Sequence, residues 1–262
     1  NTNSVVATSD GGMLILGHTA SNDGDIVKSH SLTDILLTKL DAEGNLIWTK
    51  TIGGSLNDFG MSIIATNDGN YAIAGYSASN DGDVPGNVGQ HDFFISKITE
   101  QGNLIWSKNY GFSGHDHGHK IIQTRDGGFF IAGFAEYSGI EGSGGTQDNG
   151  AGHEIGHKNV LHGSGEYLGV KLDSNGEFVW YRYFGGTQND RVNDIVEAED
   201  GDIIMVGYSE SSDFDIENKK DEKTFKLILT HLYKISKLCF QNNLEFGHIF
   251  YIKNIVLIHA DL

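Results

Sequence analysis

The sequence predicts an all-β fold: a β-propeller fragment of about three and a half four-stranded blades, followed by an atypical C-terminal tail. Three observations lead to this prediction. Landmark residues return at a fixed spacing of 58 residues. Each period contains short runs rich in β-branched and aromatic residues, and glycines stand at equivalent places between the runs. A fixed period of this size is typical of repeat architectures, and four antiparallel strands per repeat are typical of propeller blades.

The period is clearest in one block of the sequence. GNLIWTKTIGGSLNDFG (Gly44–Gly60) returns as GNLIWSKNYGFSGHDHG (Gly102–Gly118) and, more loosely, as GEFVWYRYFGGTQNDRV (Gly176–Val192). The first step is 58 residues and the second is 74, so the third copy carries a 16-residue insertion. We expect structural roles for the landmarks that keep this register, which are Asp10, Gly11, Asp68, Gly69, Asp126, Gly127, Gly44, Gly102, Gly176, Trp48, Trp106 and Trp180.

Each element of a blade can be assigned in the second copy. The predicted strands are Ser62–Thr66, Tyr71–Ser77, Phe93–Ile98 and Asn103–Lys108. An Asp-Gly turn joins the first two strands, and a short loop ending in Gly102 joins the last two. Glycine is suited to such turns because it adopts positive φ without steric cost.

This register divides the chain into five parts. Residues 1–60 form the first blade, 61–118 the second, and 119–192 the third with its Gly/His-rich insertion. Residues 193–218 form the first half of the fourth blade, and 219–262 form a non-repeat tail.

The tail differs from the rest of the chain in composition. It holds 7 Lys/Arg against 4 Asp/Glu and one glycine of the 36, whereas residues 1–218 hold 11 against 31. One interpretation is a genuine helical terminus, since several apolar residues fall near helical spacing. The other is that the sequence leaves its reading frame or gene boundary there, which the abrupt change favours. We expect the tail to be poorly ordered or to pack as something other than a blade.

Charge and cysteine content exclude several classes of protein. The net charge of −17 argues against nucleic-acid binding, which starts from a basic patch, and disfavours anionic membranes. The single cysteine, Cys239, excludes an intrachain disulfide. The most apolar run, His248–Ala260, is too short to span a membrane, so we expect no membrane insertion. The chain starts without Met and inside a repeat, so we expect it to be truncated there and any export signal to be missing.

The repeat resembles a known class of proteins. The Asp-Gly-Gly turn and the segments AGYSASNDGD, KLDAEGNLIW and GGSLND are similar to the β-propeller repeat of secreted and surface proteins from Bacteroidetes-like bacteria. The resemblance covers residues 3–216 and implies an extracellular or cell-surface scaffold. KLDAEGNLIW also resembles the tryptophan-docking motif of quinoprotein propellers, which implies that Trp48, Trp106 and Trp180 pack against the neighbouring blade.

Two motifs carry oxygen or nitrogen ligands at close spacing. The loop SNDGD places Asp23 near Asp25 and Asp81 near Asp83, and its degenerate copy SSDFD holds Asp213 and Asp215. Such carboxylates can bind Ca²⁺, but Asx-type turns explain the pattern more simply. GHDHGH places His115, His117 and His119 at alternate positions, which share a face on a strand and suit Zn²⁺, Cu²⁺ or Ni²⁺. The other copies lack these histidines, so we expect the cluster to be local to its blade.

The third-blade insertion contains an H-E-x-x-H string, His153 to His157, with Glu154 inside it and His162 nearby. On a helix this pattern binds zinc and activates water. Glycines flank the string, however, and the longer protease pattern is not met. We therefore expect no catalytic residues and assign no cofactor. Binding of calcium or zinc stays open as an alternative.

The sequence favours a non-enzymatic extracellular scaffold or binding module that presents loops to a glycan or protein ligand. Two alternatives remain. One is a metal-dependent hydrolase that uses the HEIGH string, and the other is a small-molecule sensor with a site at the propeller axis. A polar cluster converging on the axis would favour the sensor. The sequence does not identify the ligand, the total number of blades or the oligomeric state.

Overall fold

The computed structural model describes residues 1–26, 32–111, 114–136 and 165–212, together with the backbone of 256–260. The protein is all-β over these residues, and they contain no helix that could cross a membrane. The strands are β1 (Thr2–Ala7), β2 (Met13–Thr19), β3 (Asp34–Leu40), β4 (Leu46–Ile52), β5 (Asp58–Ala65), β6 (Tyr71–Ser77), β7 (Asp92–Ile98), β8 (Leu104–Tyr110), β9 (His115–Gln123), β10 (Phe129–Glu136), β11 (Glu166–Leu172), β12 (Phe178–Phe184), β13 (Asp190–Glu197), β14 (Ile203–Ser209) and β15 (Val256–Ala260).

The strands form four antiparallel sheets in chain order. The first three sheets are β1-β2-β3-β4, β5-β6-β7-β8 and β9-β10-β11-β12, and the fourth is β13-β14-β15. The first strand of each sheet packs on the first strand of the next, β1 on β5, β5 on β9 and β9 on β13. Consecutive four-stranded meanders that meet through their first strands are the arrangement of β-propeller blades around an axis. The chain is therefore part of a β-propeller, as its repeats predict.

The blades adhere through apolar side chains that alternate along the strands. Ile73 and Phe94 of the second blade pack with Leu16 of the first. Their strand neighbours Ala74 and Ile95 lie in the cluster shared with the third blade. Both faces of the middle sheets are thus buried. Each fully buried large apolar side chain contributes about 1.5–3 kcal/mol.

The sheets begin a few residues before the predicted blade boundaries. The boundaries after residues 60, 118 and 192 fall inside β5, β9 and β13. Gly60 and Gly118, the glycines at two of these boundaries, lie within strands. A Cβ on Gly60 would come within 2.7 Å of Leu16 Cδ1 in the first blade. This glycine therefore permits close approach of neighbouring blades rather than a turn.

The turn glycines adopt the conformation that their place requires. Gly69 (φ 78°) closes the β5–β6 turn and Gly102 (φ 71°) the β7–β8 turn. The equivalent glycines of the other blades also have positive φ, namely Gly11, Gly127, Gly201, Gly44 and Gly176.

The tryptophans lie at equivalent places but are half-buried instead of fully buried. Trp48, Trp106 and Trp180 each pair with a lysine of the preceding strand, and each is partly exposed. Trp48 lies against Gly102 of the next blade, and Trp106 lies against Gly176. One side of the Trp48 and Trp106 indoles covers the neighbouring hairpin. The remaining surface of each stays open because these strands are the outermost of their sheets.

The described part of the tail consists of a single strand. Val256–Ala260 forms β15, which pairs with β14 as the third strand of the fourth sheet. Without β15, the outer edge of β14 would present unpaired N–H and C=O groups. Backbone pairing satisfies these groups with little demand on side-chain identity, so loss of the repeat landmarks does not prevent it. The rest of 219–262 lies outside the described residues.

Candidate functional site: a band of rings on the inner strands

A continuous band of aromatic and imidazole rings runs across the inner strands. Residues of second strands alternate in it with residues of the first strand of the next blade. The centroid distances are 4.9 Å for His18–Phe59, 4.8 Å for Phe59–Tyr76, 3.9 Å for Tyr76–His117 and 4.8 Å for His117–Phe134. Three of these separations are within the range of about 4.5–7 Å for favourable ring contacts, and the stacked Tyr76–His117 pair is closer. We call the set His18, Phe59, Tyr76, His117 and Phe134 the ring band.

A cation closes the ring band at the fourth blade. The Cζ atom of Arg191 lies 3.8 Å from the ring centroid of Phe134. Arg191 is the second residue of β13 and is half-buried. A guanidinium over an aromatic face is a favourable cation–π pair. The band therefore ends in a positive charge that is partly accessible to solvent.

The backbone explains why these side chains converge. The first strand of each blade carries a bulge at the same register position. The bulge lies between Thr2 and Ser4 in the first blade, between Gly60 and Ser62 in the second, and between Val192 and Asp194 in the fourth. A bulge bends its strand and redirects the side chains beside it. The residues inserted by the four bulges are Asn3, Met61, His119 and Asn193.

Three histidines meet at the junction of the second and third blades. His91 precedes β7, and His115 and His117 lie on β9. One ring nitrogen from each of the three lies within 4.8 Å of the others. His91 Nδ1 and His115 Nδ1 are 2.6 Å apart. We call His91, His115 and His117 the histidine triad.

This arrangement corrects two expectations about GHDHGH. The cluster is not local to one blade, because His91 joins it from the second. His119 is not part of the triad, because the β9 bulge places Gly118 opposite Gly133 and Lys120 opposite Ala132, which leaves His119 as the extra residue. Alternation of side chains fails at a bulge. His119 packs on Phe134 instead, with ring centroids 5.2 Å apart.

Burial keeps the imidazoles of His91, His117 and His119 neutral. It lowers the pKa of His117 to about 3, with further lowering by the neighbouring histidines and Arg191. It lowers the pKa of His119 to about 4, assisted by Arg191 and Lys120. The pKa of His91 is also lowered, first by burial and then by His115. At neutral pH such rings are hydrogen-bonding and ligand-binding groups rather than cations.

In the first three blades, the Asp of the Asp-Gly turn binds a lysine that the sequence did not single out. Lys39 Nζ lies 2.7 Å from Asp10, Lys97 Nζ 2.7 Å from Asp68, and Lys171 Nζ 2.9 Å from Asp126. The lysine ammonium groups are largely buried beside half-exposed carboxylates. In these three blades, the pair ties the first hairpin to the third strand. The lysines recur in the same register as the aspartates, which is the signal that could have revealed them.

Buried acids at the blade junctions were also missed. A Cβ on Gly53 would lie 2.8 Å from both Asp34 and Asp58, so the carboxylates of adjacent blades flank this glycine. Burial raises the pKa of Asp58, although hydrogen bonds from Ser77, Gly54 and Ser79 oppose it. Equivalent buried acids in the other blades are Asp92, Asp116, Glu166 and Asp190. These acids recur in register with the repeat, and this recurrence is the sequence signal that could have revealed them.

The SNDGD loops act as turns. Asp81 Oδ1 accepts the backbone N–H of Ser55 at 2.7 Å, and the backbone carbonyl of Asp81 accepts the N–H of Val84 at 3.1 Å. The carbonyl of Asp23 accepts the N–H of Ile26 at 3.2 Å. Among the described residues, neither these aspartates nor Asp25 and Asp83 belong to a group that could hold a metal ion. Asp213, Asp215, His153, Glu154, His157 and His162 lie outside the described residues.

Comparisons with known proteins give limited likenesses. No protein-family model matches the chain. Regulatory protein FlaEY of Caulobacter vibrioides is 28% identical to it over 218 residues, which is 79% of this chain and 21% of that protein. The chain thus spans about a fifth of the length of this relative. A crystal structure of a protein of unknown function from Bacteroides caccae matches with a TM-score of 0.35 and 12% identity, covering 80% of this chain and 71% of that one.

Proposed function

We propose that the chain is a non-enzymatic binding module that receives its ligand on the ring band. The observation that carries this proposal is the continuity of the band, from His18 to Phe134, with Arg191 at its end. Ligand sites are mostly lined by apolar and aromatic side chains, with a few polar groups that set orientation. The band supplies both kinds of group.

The band favours a ligand with a flat apolar face and a polar edge. Phe59 and Tyr76 offer half-buried rings, whereas Arg191 and neutral imidazoles offer hydrogen-bond donors and acceptors. The sugar rings of a glycan or the aromatic side chains of a protein meet this description. Aromatic and Arg side chains are also the residues that contribute most to binding energy at protein interfaces. We keep the predicted ligand class, a glycan or a protein, but we propose that the ligand binds on the inner strands instead of the loops.

One further point supports a binding role. The curated relative is named a regulatory protein, although the chain spans only a fifth of it. We place the module outside the cell or at its surface on the strength of the repeat resemblance, and cell fractionation with an antibody against the chain tests this placement.

The ligand proposal is tested by binding to an immobilised glycan panel and to aromatic-rich peptides. Tyr76→Ala removes the central ring of the band, and we expect it to weaken any specific binding by about tenfold or more, which corresponds to the contribution of one aromatic anchor. Ile105→Ala is the matched control, because Ile105 is 46% exposed on the outermost strand of the same blade. Equal loss in both variants, or specific binding untouched by Tyr76→Ala, contradicts the proposal.

A further inference from the structure

We propose that His91, His115 and His117 form a zinc site at the junction of the second and third blades, with one ring nitrogen from each residue as ligand. The site goes beyond the proposed binding function and does not depend on it. Its chemistry is that of a divalent borderline cation held by imidazole nitrogens.

The spacing of the nitrogens fits a shared ion. One nitrogen from each residue lies within 4.8 Å of the others, and the His91 Nδ1–His115 Nδ1 distance is 2.6 Å. Two nitrogens on a tetrahedral zinc, each about 2.0–2.1 Å from the metal, lie about 3.3 Å apart. The His91–His115 separation is shorter than this value, and the other two separations are no longer than 4.8 Å. Small side-chain rotations would bring all three to it, and zinc would replace the hydrogen shared by His91 and His115.

The backbone around the triad is held in place. His115 and His117 alternate on β9, so they share a face. The N–H of Asp116, which lies between them, donates to the carbonyl of His91 at 2.7 Å and ties the two blades together. The His117 ring stacks on Tyr76 with planes 3° apart and centroids 3.9 Å apart. Ligands carried by strands and fixed by neighbours favour a defined metal geometry.

The donor set indicates the type of metal. Imidazole nitrogens suit Zn²⁺, Cu²⁺ and Ni²⁺, whereas Ca²⁺ and Mg²⁺ prefer oxygen. Three protein ligands leave a coordination position for water or a ligand group. His117 Nε2 is buried and has no hydrogen-bond partner among the described residues, so it is available for coordination. All three residues are half-buried, which leaves access from solvent.

The other blade junctions show that the fold does not require these histidines. The first junction has Thr33, Asn57 and Phe59 at the equivalent positions, and the next has Gly165, Asn189 and Arg191. The backbone contact is the same in each. Asp58 N–H donates to the Thr33 carbonyl at 2.7 Å, and Asp190 N–H to the Gly165 carbonyl at 2.7 Å. The three junctions therefore share the same backbone contact and differ in the side chains that they carry. The junction of the second and third blades is the one that carries three imidazoles.

This repetition supplies variants that the fold already accommodates. His91→Thr, His115→Asn and His117→Phe copy the residues of the first junction. His119→Asn is the matched control, because asparagine occupies its place in the first and fourth blades. His157→Gln controls for the H-E-x-x-H string. Each full-length chain is freed of metal with a chelator and titrated with Zn²⁺ by calorimetry, and circular dichroism checks that it is folded.

We expect one equivalent of zinc at the triad with a dissociation constant in the micromolar range or tighter. Each triad variant should weaken this binding by at least about 100-fold, more than the loss typical of residues that only support a ligand. His119→Asn and His157→Gln should retain it. Zinc should also raise the unfolding midpoint of the wild type but not of His115→Asn. Absence of such binding, or binding lost in His157→Gln and kept in the triad variants, overturns the proposal.

Discussion

The indole of Trp48 lies so close to Gly102 of the next blade that a Cβ on this glycine would come within 2.7 Å of Cη2. The same relationship joins Trp106 to Gly176, with a Cβ again 2.7 Å from Cη2. Each pair links the last strand of one blade to a hairpin turn of the following blade. The glycine therefore has two roles, since it also supplies the positive φ of the turn.

The first prediction separates these two roles of glycine. Gly102→Ala places a methyl group in a left-handed turn and against Trp48. Gly44→Ala, the control, has a similar φ of 86° with nothing within 4 Å of the added methyl group. We expect about 1–2 kcal/mol of destabilisation for Gly44→Ala from backbone strain and more for Gly102→Ala. Urea unfolding measures both. Equal losses would show that the indole contact contributes nothing.

The second prediction concerns the indole itself. Full burial of a tryptophan would make its replacement by alanine cost about 3–5 kcal/mol. Since Trp106 is half-buried, we expect Trp106→Ala to cost about 2 kcal/mol. Its neighbour Ile105 is 46% exposed, so Ile105→Ala should change stability by less than about 0.5 kcal/mol. The measurement is again the free energy of unfolding in urea.

The third prediction is a pair of opposite pH dependences. Burial raises the pKa of Asp58 in the folded protein. The contribution of this carboxyl to the free energy of unfolding is therefore greatest at low pH and falls as the pH rises above the ordinary carboxyl value of about 3.9. Asp58→Asn should remove this fall. The hydrogen bonds from Lys97 and Thr66 lower the pKa of Asp68, so its contribution is present above about 3.9 and lost as the pH falls.

Unfolding free energies measured from pH 3 to pH 7 test this pair. From pH 4 to pH 7, the stability of Asp58→Asn relative to the wild type should increase. The stability of Asp68→Asn relative to the wild type should decrease mainly between pH 3 and pH 4 and change little above pH 4. Two variants with the same trend would contradict the assignment of buried and ion-paired aspartates to these positions.

The fourth prediction concerns the strand contributed by the tail. Truncation after residue 255 removes β15 and exposes the outer edge of β14. We expect the amides of Ile203–Gly207 that bond to β15 to exchange with solvent at least about tenfold faster, because opening of an edge strand is local. The amides of β6, in the second blade, should be unaffected and serve as the control. Unchanged exchange across β14 would show that β15 is not paired in solution.

The sequence by itself determined the architecture. The 58-residue step of Trp48, Gly102 and Asp68 with their counterparts predicted blades, hairpin turns and equivalent tryptophans. Strand alternation and turn chemistry are local properties, so a periodic sequence carries them directly. The aromatic landmarks also indicated contacts between blades, although not that the indoles remain half-exposed.

Only the tertiary structure decided what lies at the inner strands. His91 is separated by 24 residues from His115, and a parallel bridge between blades brings them together. The bulge at His119 removes a residue that alternation would include in the triad. The period fixes the place of a residue within its own blade. The stagger between sheets and the local bulges decide which side chains of different blades meet, because convergence depends on the packing of neighbouring backbones.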